Sequence, residues 1–501
     1  MDMETLLSYD WHTMMPEFII VGFAILLSLL DLFLGKKVDR RKLGWVGFVG
    51  VLVAFVSLLF LLPHESTEIL FNTFRFDSFG KAFKLLLLVG TMLVFVLAIH
   101  DDEKEIQDRG EYYYLFLTAL LGAMFMVSSG DLITLFVGLE LLSISSYILV
   151  AIRKKNRKSN EAALKYVING GISTAITLFG LSYIYGLTGS TNIQDMSIFI
   201  QTGNLESVQG LIGMAFLLTF VGLSFKLATM PFHMWAPDVY EGASTPVTAF
   251  LGAVSKVAGF AIVLRLFLSI FGAIPMDEGQ STYLLYMQGF IAVVAAITMI
   301  IGNTIALKQV SVKRMLAYSS IAHAGYLLVP FMAFSPFLMD NMWFYLLAYL
   351  FMNIGALAVV QVVQRAIGSD HLTSFSGLYK RSPLLAVLLT IFLLSLAGIP
   401  GTAGFIGKVH IFLSAFVVEP AHYVLAAILM GTTVISYYYY FSIIQQMFFR
   451  QPDKEETIRP QSGLLIVGCL CAVATIVLGI FPFLAYEFFF QYFDVLKDFL
   501  G

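Results

Sequence analysis

Apolar runs of about 20 residues, separated by short polar connections, fill almost the whole chain of 501 residues. A hydrocarbon core of roughly 30 Å needs about 20 residues of helix to cross it. The pattern therefore predicts an all-α polytopic membrane protein with about fourteen transmembrane helices. The predicted spans lie near residues 14–34, 43–62, 80–99, 112–129, 131–152, 161–187, 208–242, 243–272, 283–306, 311–334, 341–364, 382–418, 421–447 and 462–490.

Clusters of Lys and Arg follow spans 1, 5, 9, 11 and 13, all of them odd-numbered. The even-numbered connections carry almost no cations, apart from Arg75. Because cytoplasmic connections are enriched in Lys and Arg, the odd connections are predicted to be cytoplasmic and both termini to lie on the outer side. A miscount by one span would destroy this alternation. The clusters lie at Lys36–Lys42, Arg153–Lys158, Lys308–Arg314, Arg365–Arg381 and Arg450–Arg459.

Two of the spans are too long for one straight helix. Span 7 is interrupted at Thr229–Pro231 and span 12 at Gly398–Gly401. Proline removes a backbone donor and clashes with the preceding turn, and irregular backbone at membrane depth is tolerated only inside protein or beside a water-filled cavity. Broken helices in matching positions of two halves indicate the site of a transporter.

The two halves also share the spacing of their charged residues. Lys408 lies 182 residues after Lys226, and Glu140 shifted by the same offset falls next to His323. Spans 4–8 and 9–13 are therefore predicted to be repeats, and since five is odd, the repeats must be inverted. The predicted units are residues 1–110 (spans 1–3), 111–272 (first repeat), 273–447 (second repeat) and 448–501 (C-terminal loop and last span).

Composition agrees with a lipid environment. Hydrophobic residues make up 58% of the chain, mean hydropathy is +0.84, and only 13% of residues are charged, about half the usual share. The net charge of −3 does not favour a nucleic-acid partner. The two cysteines, Cys469 and Cys471, lie in an apolar span without metal-ligand spacing and are interpreted as core residues. The acidic N-terminus lacks the basic region of a cleavable signal.

Ionisable side chains interrupt several of the apolar spans. Burying one at membrane depth costs about 2.5 to 3.5 kcal/mol even on the lenient insertion scale, so such residues predict an ion or proton path. Glu140 is the tenth residue of its span, roughly 15 Å deep. Lys226, beside a helix break, is its expected counter-ion. The alternative is a static ion pair that only locks helices together.

Three further groups extend this path. Lys256, the fourteenth residue of span 8, is predicted to relay protons, the alternative being a lysine that extends to water. Lys408 is expected to be the last relay before the outer side, or the partner of an unidentified carboxylate. His323 is expected to bridge these two lysines because histidine titrates near neutral pH, or else to be a hydrogen-bonded structural residue. Lys165 is either a second partner of Glu140 or a surface lysine, and the pattern slightly favours the latter.

Other polar and aromatic positions are ambiguous. The segment with Asp238 and Glu241 suits a cytoplasmic proton entrance, although Asp238 and Ser244 would equally suit a helix cap. The stretch Tyr437–Tyr440 is interpreted as lipid or partner contact. Arg265, toward the outer end of span 8, is expected to extend its head group to water.

Four segments resemble the subunit N family of proton-translocating NADH–quinone oxidoreductase (respiratory complex I), whose members are antiporter-like and related to Mrp subunits. The resemblance covers about residues 10–490. The segments are Pro231–Phe250 (PFHMWAPDVYEGASTPVTAF), Ser255–Lys256, Lys313–Tyr326 (KRMLAYSSIAHAGY) and Gly398–Lys408 (GIPGTAGFIGK).

The resemblance implies inverted five-helix repeats and a proton channel. In it Glu140 and Lys226 would be the charge pair, Lys256 the central relay and Lys408 the terminal residue. NADH, FMN, the Fe–S clusters and quinone would be bound by partner subunits, with no cofactor and no catalytic chemistry in this chain alone. The partners would be neighbouring antiporter-like and small membrane subunits in a bacterial inner membrane.

Two other classes remain open. An Mrp-type Na⁺/H⁺ antiporter subunit has the same fold, but the segment around Pro237–Val247 looks specific to subunit N, and Lys408 stands where several antiporter relatives would carry a different ionisable group. A purely structural membrane scaffold is disfavoured by the density of buried charge. Co-purification with partners that bear Fe–S clusters and flavin would favour complex I, and a small all-membrane set would favour the antiporter.

Overall fold

The computed structural model describes residues 7–35, 39–101, 105–106, 108–202, 208–272, 282–334, 337–417, 421–451, 457–495 and 497–500. Lys36, Lys37 and Lys454 of the cationic clusters lie outside the described residues.

Helices dominate the chain. Over the described ranges they are α1 (Met15–Phe33), α2 (Arg41–Leu61), α3 (Ser78–Ile99), α4 (Arg109–Val127), α5 (Leu132–Val150), α6 (Arg157–Thr188), α7 (Ile193–Thr202), α8 (Gln209–Leu227), α9 (Trp235–Gly242), α10 (Thr245–Phe271), α11 (Tyr283–Tyr286), α12 (Gln288–Ala306), α13 (Val312–Ala333), α14 (Leu338–Ile367), α15 (Leu378–Arg381), α16 (Pro383–Ala397), α17 (Ala403–Val417), α18 (Tyr423–Phe449), α19 (Ser462–Ile480), α20 (Phe483–Tyr492) and α21 (Lys497–Leu500).

Thirteen of the described helices are long and apolar enough to cross a membrane. They are α1–α6, α8, α10, α12–α14, α18 and α19. The shorter apolar helices α16 and α17 form one further, broken span, which brings the count to the predicted fourteen. The polytopic helical fold is therefore confirmed, and the inverted repeats and the four units remain predictions.

The connections contain structure that the sequence pattern did not predict. Strands β1 (Thr67–Ile69) and β2 (Phe74–Phe76) form an antiparallel hairpin between α2 and α3, with Thr67 opposite Phe76. Helix α7 occupies the connection that hydropathy marks only as polar. Each strand has three residues, fewer than the four to eight that produce a recognisable alternation.

A buried ion pair fixes α1 on α3 beside this hairpin. The Lys84 ammonium lies 2.6 Å from Glu17 Oε1, and neither side chain is exposed by more than 1%. Lys84 also lies over the rings of Phe74 and Phe76, at 4.7 and 5.6 Å from their centroids. Aromatic faces attract cations, so the hairpin completes the environment of this lysine.

Polar side chains and glycines set the helix ends. Asp77 and Asp131 accept hydrogen bonds from the first turns of α3 and α5, at Gly80 N and Ile133 N, which satisfies donors that have no partner inside the helix. At the other end, Gly368 closes α14 with φ of 81°, in the left-handed region that favours glycine.

Glycines also allow close packing between two pairs of neighbouring helices. A methyl group at Gly122 of α4 would lie 2.7 Å from Gly138 O of α5. A methyl group at Gly302 of α12 would lie 2.6 Å from Ala322 N of α13. Small residues that let backbones approach are typical of membrane helix interfaces, and spans 4/5 and 9/10 are the pairs that the predicted repeat relates.

The break between α8 and α9 follows Lys226 at once. Helix α8 ends at Leu227, and Ala228 adopts a left-handed conformation with φ of 57°. The backbone groups released by the break find partners: the Trp235 indole N–H donates to Phe225 O at 3.0 Å, and Met230 N–H donates to the Thr298 hydroxyl at 3.1 Å. The break is thus built into the protein interior, as irregular backbone at this depth requires.

Helix α10 lies at the centre of the bundle, with its apolar window completely buried. Its middle section, Ser255–Leu266, is flanked by two π-helical stretches at Phe250–Val254 and Phe267–Phe271. Such wider turns are rare and frequently occur at functional sites. Lys256 is the second residue after the first of them.

The expectation that Arg265 extends to water is wrong. Its side chain is 2% exposed, and Nη1 and Nη2 each donate to one carboxylate oxygen of Asp77 at 2.8 Å. A bidentate carboxylate satisfies the guanidinium inside the protein, so the head group does not need the membrane surface.

Candidate functional site

The predicted contact between Glu140 and Lys226 is not formed. Glu140 is half-buried on α5 and accepts a hydrogen bond from the Thr174 hydroxyl of α6 at 2.9 Å. The Lys226 ammonium has no hydrogen-bond acceptor among the described residues, although it lies within electrostatic range of Glu140. The two charges are therefore neighbours without a direct contact, and the Glu140 carboxylate bonds Thr174 instead of the lysine.

Lys226 is 6% exposed. It is the last but one residue of α8, where its positive charge faces the negative end of the helix dipole. A buried ammonium without an acceptor is costly, so this position favours any movement that brings a carboxylate or water to it.

Lys256 has a defined polar contact on the other half of the protein. Its ammonium donates to both the backbone oxygen and the hydroxyl of Ser320 on α13, each at 2.5 Å. It also lies 5.1 Å from the centroid of the Tyr349 ring on α14. The side chain is 2% exposed, so the predicted alternative of a lysine reaching water does not describe this structure.

Lys408 lies in the second turn of α17, and its side chain extends back to the break between α16 and α17. Its ammonium donates to Leu396 O at 2.8 Å and Ala397 O at 3.1 Å, the carbonyls left free where α16 ends. Gly398, with φ of 85°, lies against this side chain, and a methyl group there would be 2.9 Å from Lys408 Cδ. Lys226 precedes its break, whereas Lys408 follows its own.

His323 lies between the two lysines. Its Nδ1 shares a hydrogen bond with the Tyr345 hydroxyl at 2.6 Å, and its Nε2 shares one with the Tyr440 hydroxyl at 3.3 Å. Its ring lies 5.1 Å from the ring of Tyr349 and 5.4 Å from that of Tyr326.

The same two tyrosines contact the lysines. Tyr349 lies beneath the Lys256 ammonium, and Tyr326 lies 5.0 Å from the Lys408 ammonium. The structure thus brings Lys256, His323 and Lys408 together in one buried cluster, in the order Lys256, Tyr349, His323, Tyr326, Lys408.

The interpretation of Tyr437–Tyr440 as lipid or partner contact is wrong for its second half. Tyr439 and Tyr440 are each 1% exposed. The Tyr439 hydroxyl donates to Asn303 at 3.0 Å, and the Tyr440 hydroxyl bonds Ser319 at 2.5 Å. Two of four consecutive tyrosines therefore belong to the polar cluster, because neighbouring residues on a helix point in different directions.

Lys165 belongs to a different group of charges. Its ammonium lies 2.7 Å from Asp238 and is 43% exposed. Arg314 joins the same group, donating to Asp238 at 2.6 Å and to Glu241 at 3.1 Å, and Lys158 contacts Glu241 at 2.8 Å. The network links α6, α9 and α13, and Lys165 is directed toward α9 rather than toward Glu140.

The interpretation of Asp238 and Ser244 as helix caps is wrong. Asp238 lies inside the first turn of α9 and bonds the cations described above. Ser244 precedes α10, but its hydroxyl bonds the Tyr112 hydroxyl at 3.1 Å and makes no capping bond. A short polar side chain at a helix start has a capping tendency only where no stronger partner competes.

The tyrosines of this cluster were not predicted from the sequence, although their spacing along the helices indicates a shared polar face. Tyr345, Tyr349 and Asn353 recur at intervals of four in α14, which places them on one face of an otherwise apolar helix. The Asn353 amide donates to the Tyr349 hydroxyl at 3.0 Å. Tyr326 follows His323 by three residues, again on the same face.

Within the described ranges, no group of three or more His, Cys, Asp and Glu side chains could hold a metal ion. The cluster instead consists of ammonium groups, hydroxyls and an imidazole, which donate, accept and pass on protons. Two broken spans and a buried row of ionisable side chains are typical of membrane transporters, and here they fit the antiporter-like class.

The chain belongs to the family described as NADH:quinone oxidoreductase/Mrp antiporter, transmembrane, which matches residues 129–436. A protein named NADH-quinone oxidoreductase subunit N from Bacillus anthracis is 60% identical over 500 residues, covering 100% of this chain and 98% of that protein. The resemblance that the sequence motifs indicate is therefore confirmed.

Solved structures show the same fold. A chain of respiratory complex I from Thermus thermophilus, solved with bound aureothin, has a TM-score of 0.79 at 31% identity, covering 94% of this chain and 99% of that one. A chain of the Mrp complex from Dietzia sp. has a TM-score of 0.83 at 21% identity, covering 98% and 100%. The second likeness shows the fold alone.

Proposed function

We propose that this chain is the subunit N of a bacterial NADH–quinone oxidoreductase and moves protons through its buried lysines. The observation that carries the proposal is the contact series Lys256, Tyr349, His323, Tyr326, Lys408. Its support is physical: two buried ammonium groups border one imidazole, whose two nitrogens both have hydroxyl partners.

Each member of the series has a role that its chemistry allows. Lys256 holds a proton against Ser320 and releases it through water toward His323, which accepts at one nitrogen and donates from the other. Tyr345 and Tyr440 orient the ring through those nitrogens. Lys408 accepts the proton and stores it against the free carbonyls at the end of α16.

Glu140 and Lys226 act as the switch. With Glu140 bonded to Thr174, the Lys226 ammonium has no direct acceptor, and its positive charge is proposed to oppose a second positive charge on Lys256. Movement of the carboxylate to Lys226 cancels that repulsion and favours proton uptake at Lys256. A signal from the redox partners needs only to shift this one carboxylate.

The charged network around Asp238 and Glu241 is the proposed cytoplasmic entrance. It is partly exposed, and its carboxylates are each bonded to two cations. The orientation follows from the positive-inside rule, so the termini are proposed to lie on the outer side of the bacterial membrane.

Protons rather than Na⁺ suit the central cluster. Na⁺ is a hard cation and needs several oxygen ligands, as other hard cations do. Lys256 and Lys408 place two ammonium groups there instead, and like charges repel. Proton translocation that is unchanged when Na⁺ is removed would support this choice, and a strict Na⁺ requirement would favour the Mrp-type alternative.

The proposed partners are the redox and membrane subunits of the complex. NADH, FMN, the Fe–S clusters and quinone are proposed to bind there, because the cluster in this chain is suited only to proton transfer. Purification of the tagged chain should bring down flavin- and Fe–S-bearing subunits together with neighbouring antiporter-like and small membrane subunits. A set of small membrane proteins alone would contradict the proposal.

Replacement of either switch residue should abolish proton translocation. Glu140→Ala removes the movable carboxylate, and Lys226→Ala removes the charge that it controls. In inverted membrane vesicles, proton uptake driven by quinone reduction should fall by at least about 10²-fold, the lower limit for a positioned proton-transfer group, while the complex still assembles.

A matched control is Asp31→Ala. Asp31 pairs with the partly exposed Arg40 and belongs neither to the switch nor to the proposed entrance, so its loss should leave proton uptake unchanged. Wild-type uptake in both Glu140→Ala and Lys226→Ala would remove these residues from the mechanism.

The Gly398 contact gives a second test of Lys408. Gly398→Ala forces a left-handed alanine, at a cost of about 1 to 2 kcal/mol, and places a methyl group 2.9 Å from Lys408 Cδ. Because the Lys408 side chain is displaced, we expect this variant to lose proton uptake in the same vesicle assay.

Gly368→Ala isolates the backbone cost. Gly368 also has a positive φ, 81°, but a methyl group there meets nothing within 4 Å. It should reduce thermal stability by the backbone cost alone and leave proton uptake intact. Equal uptake in the two variants would show that the Gly398–Lys408 contact is not required.

A further inference from the structure

A histidine–tyrosine pair lies beyond Lys408. His410 follows Lys408 by two residues, roughly 3 Å further along α17, and its Nδ1 shares a short hydrogen bond with the Tyr486 hydroxyl of α20. Phe344 of α14 stacks on the Tyr486 ring with centroids 4.9 Å apart, and lies 6.5 Å from the His410 ring. The pair is thus held in place by three helices.

A buried carboxylate faces this pair. Asp340, in the first turn of α14, is 7% exposed and lies within electrostatic range of Tyr486. It forms no ion pair with any described residue. Because an isolated buried carboxylate is costly when charged, Asp340 is suited to take up and release a proton rather than to anchor a cation.

Further polar contacts join α14 and α17. The Asn341 amide donates to the Ser414 hydroxyl at 3.4 Å, and Ser414 donates to His410 O at 2.9 Å. The start of α14 and the end of α17 lie on the same side of the membrane, since α14 crosses once and the broken span α16–α17 crosses back. Asp340 and His410 therefore lie between Lys408 and that surface.

The relay proposed above ends at a buried residue. Lys408 is 6% exposed and its ammonium bonds two backbone carbonyls. Carbonyls accept hydrogen bonds but do not accept a proton at working pH. Release to the outer side therefore requires a titratable acceptor beyond Lys408.

We propose that His410, Tyr486 and Asp340 form the proton-release end of the route, an inference that rests on the proposed function. The Lys408 ammonium passes its proton through water to His410. The imidazolium Nδ1–H then donates to the Tyr486 oxygen while the Tyr486 hydroxyl gives its own proton, through water, to the Asp340 carboxylate. Asp340 releases that proton to the outer side. His410, Tyr486 and Asp340 then have their starting charges, and Lys408 is left as a neutral amine that takes up the next proton from the His323 side of the relay.

The test compares four variants in the assembled complex, with proton uptake into inverted vesicles measured beside quinone reduction. Asp340→Asn and Tyr486→Phe should lower uptake to the level of Lys408→Ala. Asp340→Glu, which keeps a titratable group, should retain most of the wild-type uptake.

The matched control is Asp131→Asn. Asp131 is also 7% exposed and begins α5 on the same side of the membrane, and asparagine caps a helix as well as aspartate does. We expect wild-type uptake in this variant, which separates helix capping from proton release.

The outcomes distinguish the two proposals. Wild-type uptake in Lys408→Ala would overturn the proposed function and the release route with it. Loss in Lys408→Ala with wild-type uptake in Asp340→Asn and Tyr486→Phe would overturn the release route alone. An equal loss in Asp340→Asn, Asp340→Glu and Asp131→Asn would show that any change of a buried aspartate at these helix starts disturbs the protein, and would also overturn it. If Asp340→Asn fails to assemble, Tyr486→Phe, which removes only a hydroxyl, decides by the same measurement.

Discussion

Lys256→Arg should abolish proton translocation although it keeps the positive charge. Lys256 is the first member of the contact series. Its ammonium donates to Ser320 and lies beside Tyr349, the next member, which contacts His323. Arginine cannot release its proton at working pH, so the relay stops at its first step. Proton uptake into inverted vesicles should fall by at least about 10²-fold, and Lys256→Met should fall equally.

Lys84→Arg is the matched control for this prediction. Lys84 is also a buried lysine, but its charge is fixed by Glu17 and it does not contact the cluster. Arginine suits a carboxylate partner, so uptake should stay near the wild-type level. If Lys256→Arg pumped like wild type, Lys256 would be a fixed charge and not a proton carrier.

Loss of Arg265 should produce the largest loss of stability. Arg265→Met leaves the Asp77 carboxylate buried without its bidentate partner, and removing one member of such a pair costs about 3 to 5 kcal/mol. Thermal inactivation of the assembled complex, together with the amount of subunit in membranes, measures the effect.

The double variant Asp77→Asn/Arg265→Met should lose much less stability than the sum of the losses in the two single variants. Asparagine keeps the cap on Gly80 N, and no uncompensated charge remains, so a double-mutant cycle should give a large coupling energy. Arg40→Met, which removes a partly exposed pair with Asp31, should cost only about 1 kcal/mol or less. Additive losses in the cycle would contradict the ion-pair assignment.

The charges around Asp77 also hold the C-terminal helix. Burial would raise the pKa of the Asp77 carboxyl, but Arg265 outweighs burial and keeps that pKa below its ordinary value. Asp498 of α21 accepts a hydrogen bond from Phe79 N at 2.8 Å. Burial first, and then the negative charge of Asp77, raise the pKa of Asp498 to about 6. A single cluster thus connects α3, α10 and α21.

The helical spans and their breaks follow directly from local sequence. Hydropathy and the loop charges predict the number of spans because each span must be apolar over a fixed length. Pro231 and Gly398 mark the breaks because their local preferences, a missing donor and a positive φ, do not depend on distant residues.

The charge partners do not follow from local sequence. From local sequence, Lys165 and Arg265 are both expected to extend their head groups to water. In the structure Lys165 bonds Asp238, which is 73 residues away along the chain. Arg265 bonds Asp77, which is 188 residues away. Hydrogen bonds between helices depend on rotation and packing of each helix, which the spacing of charges in one segment does not encode.

By itself, then, the sequence determined that the chain crosses the membrane repeatedly, where two helices break, and that Lys226, Lys256 and Lys408 lie within apolar spans. Only the tertiary structure decided that Glu140 bonds Thr174 and stays apart from Lys226. The sequence predicted His323 between Lys256 and Lys408, but the structure alone surrounded it with tyrosines from α13, α14 and α18. The physical reason is that burial is a property of each segment, whereas a proton path is a property of atoms that only packing brings within hydrogen-bond distance.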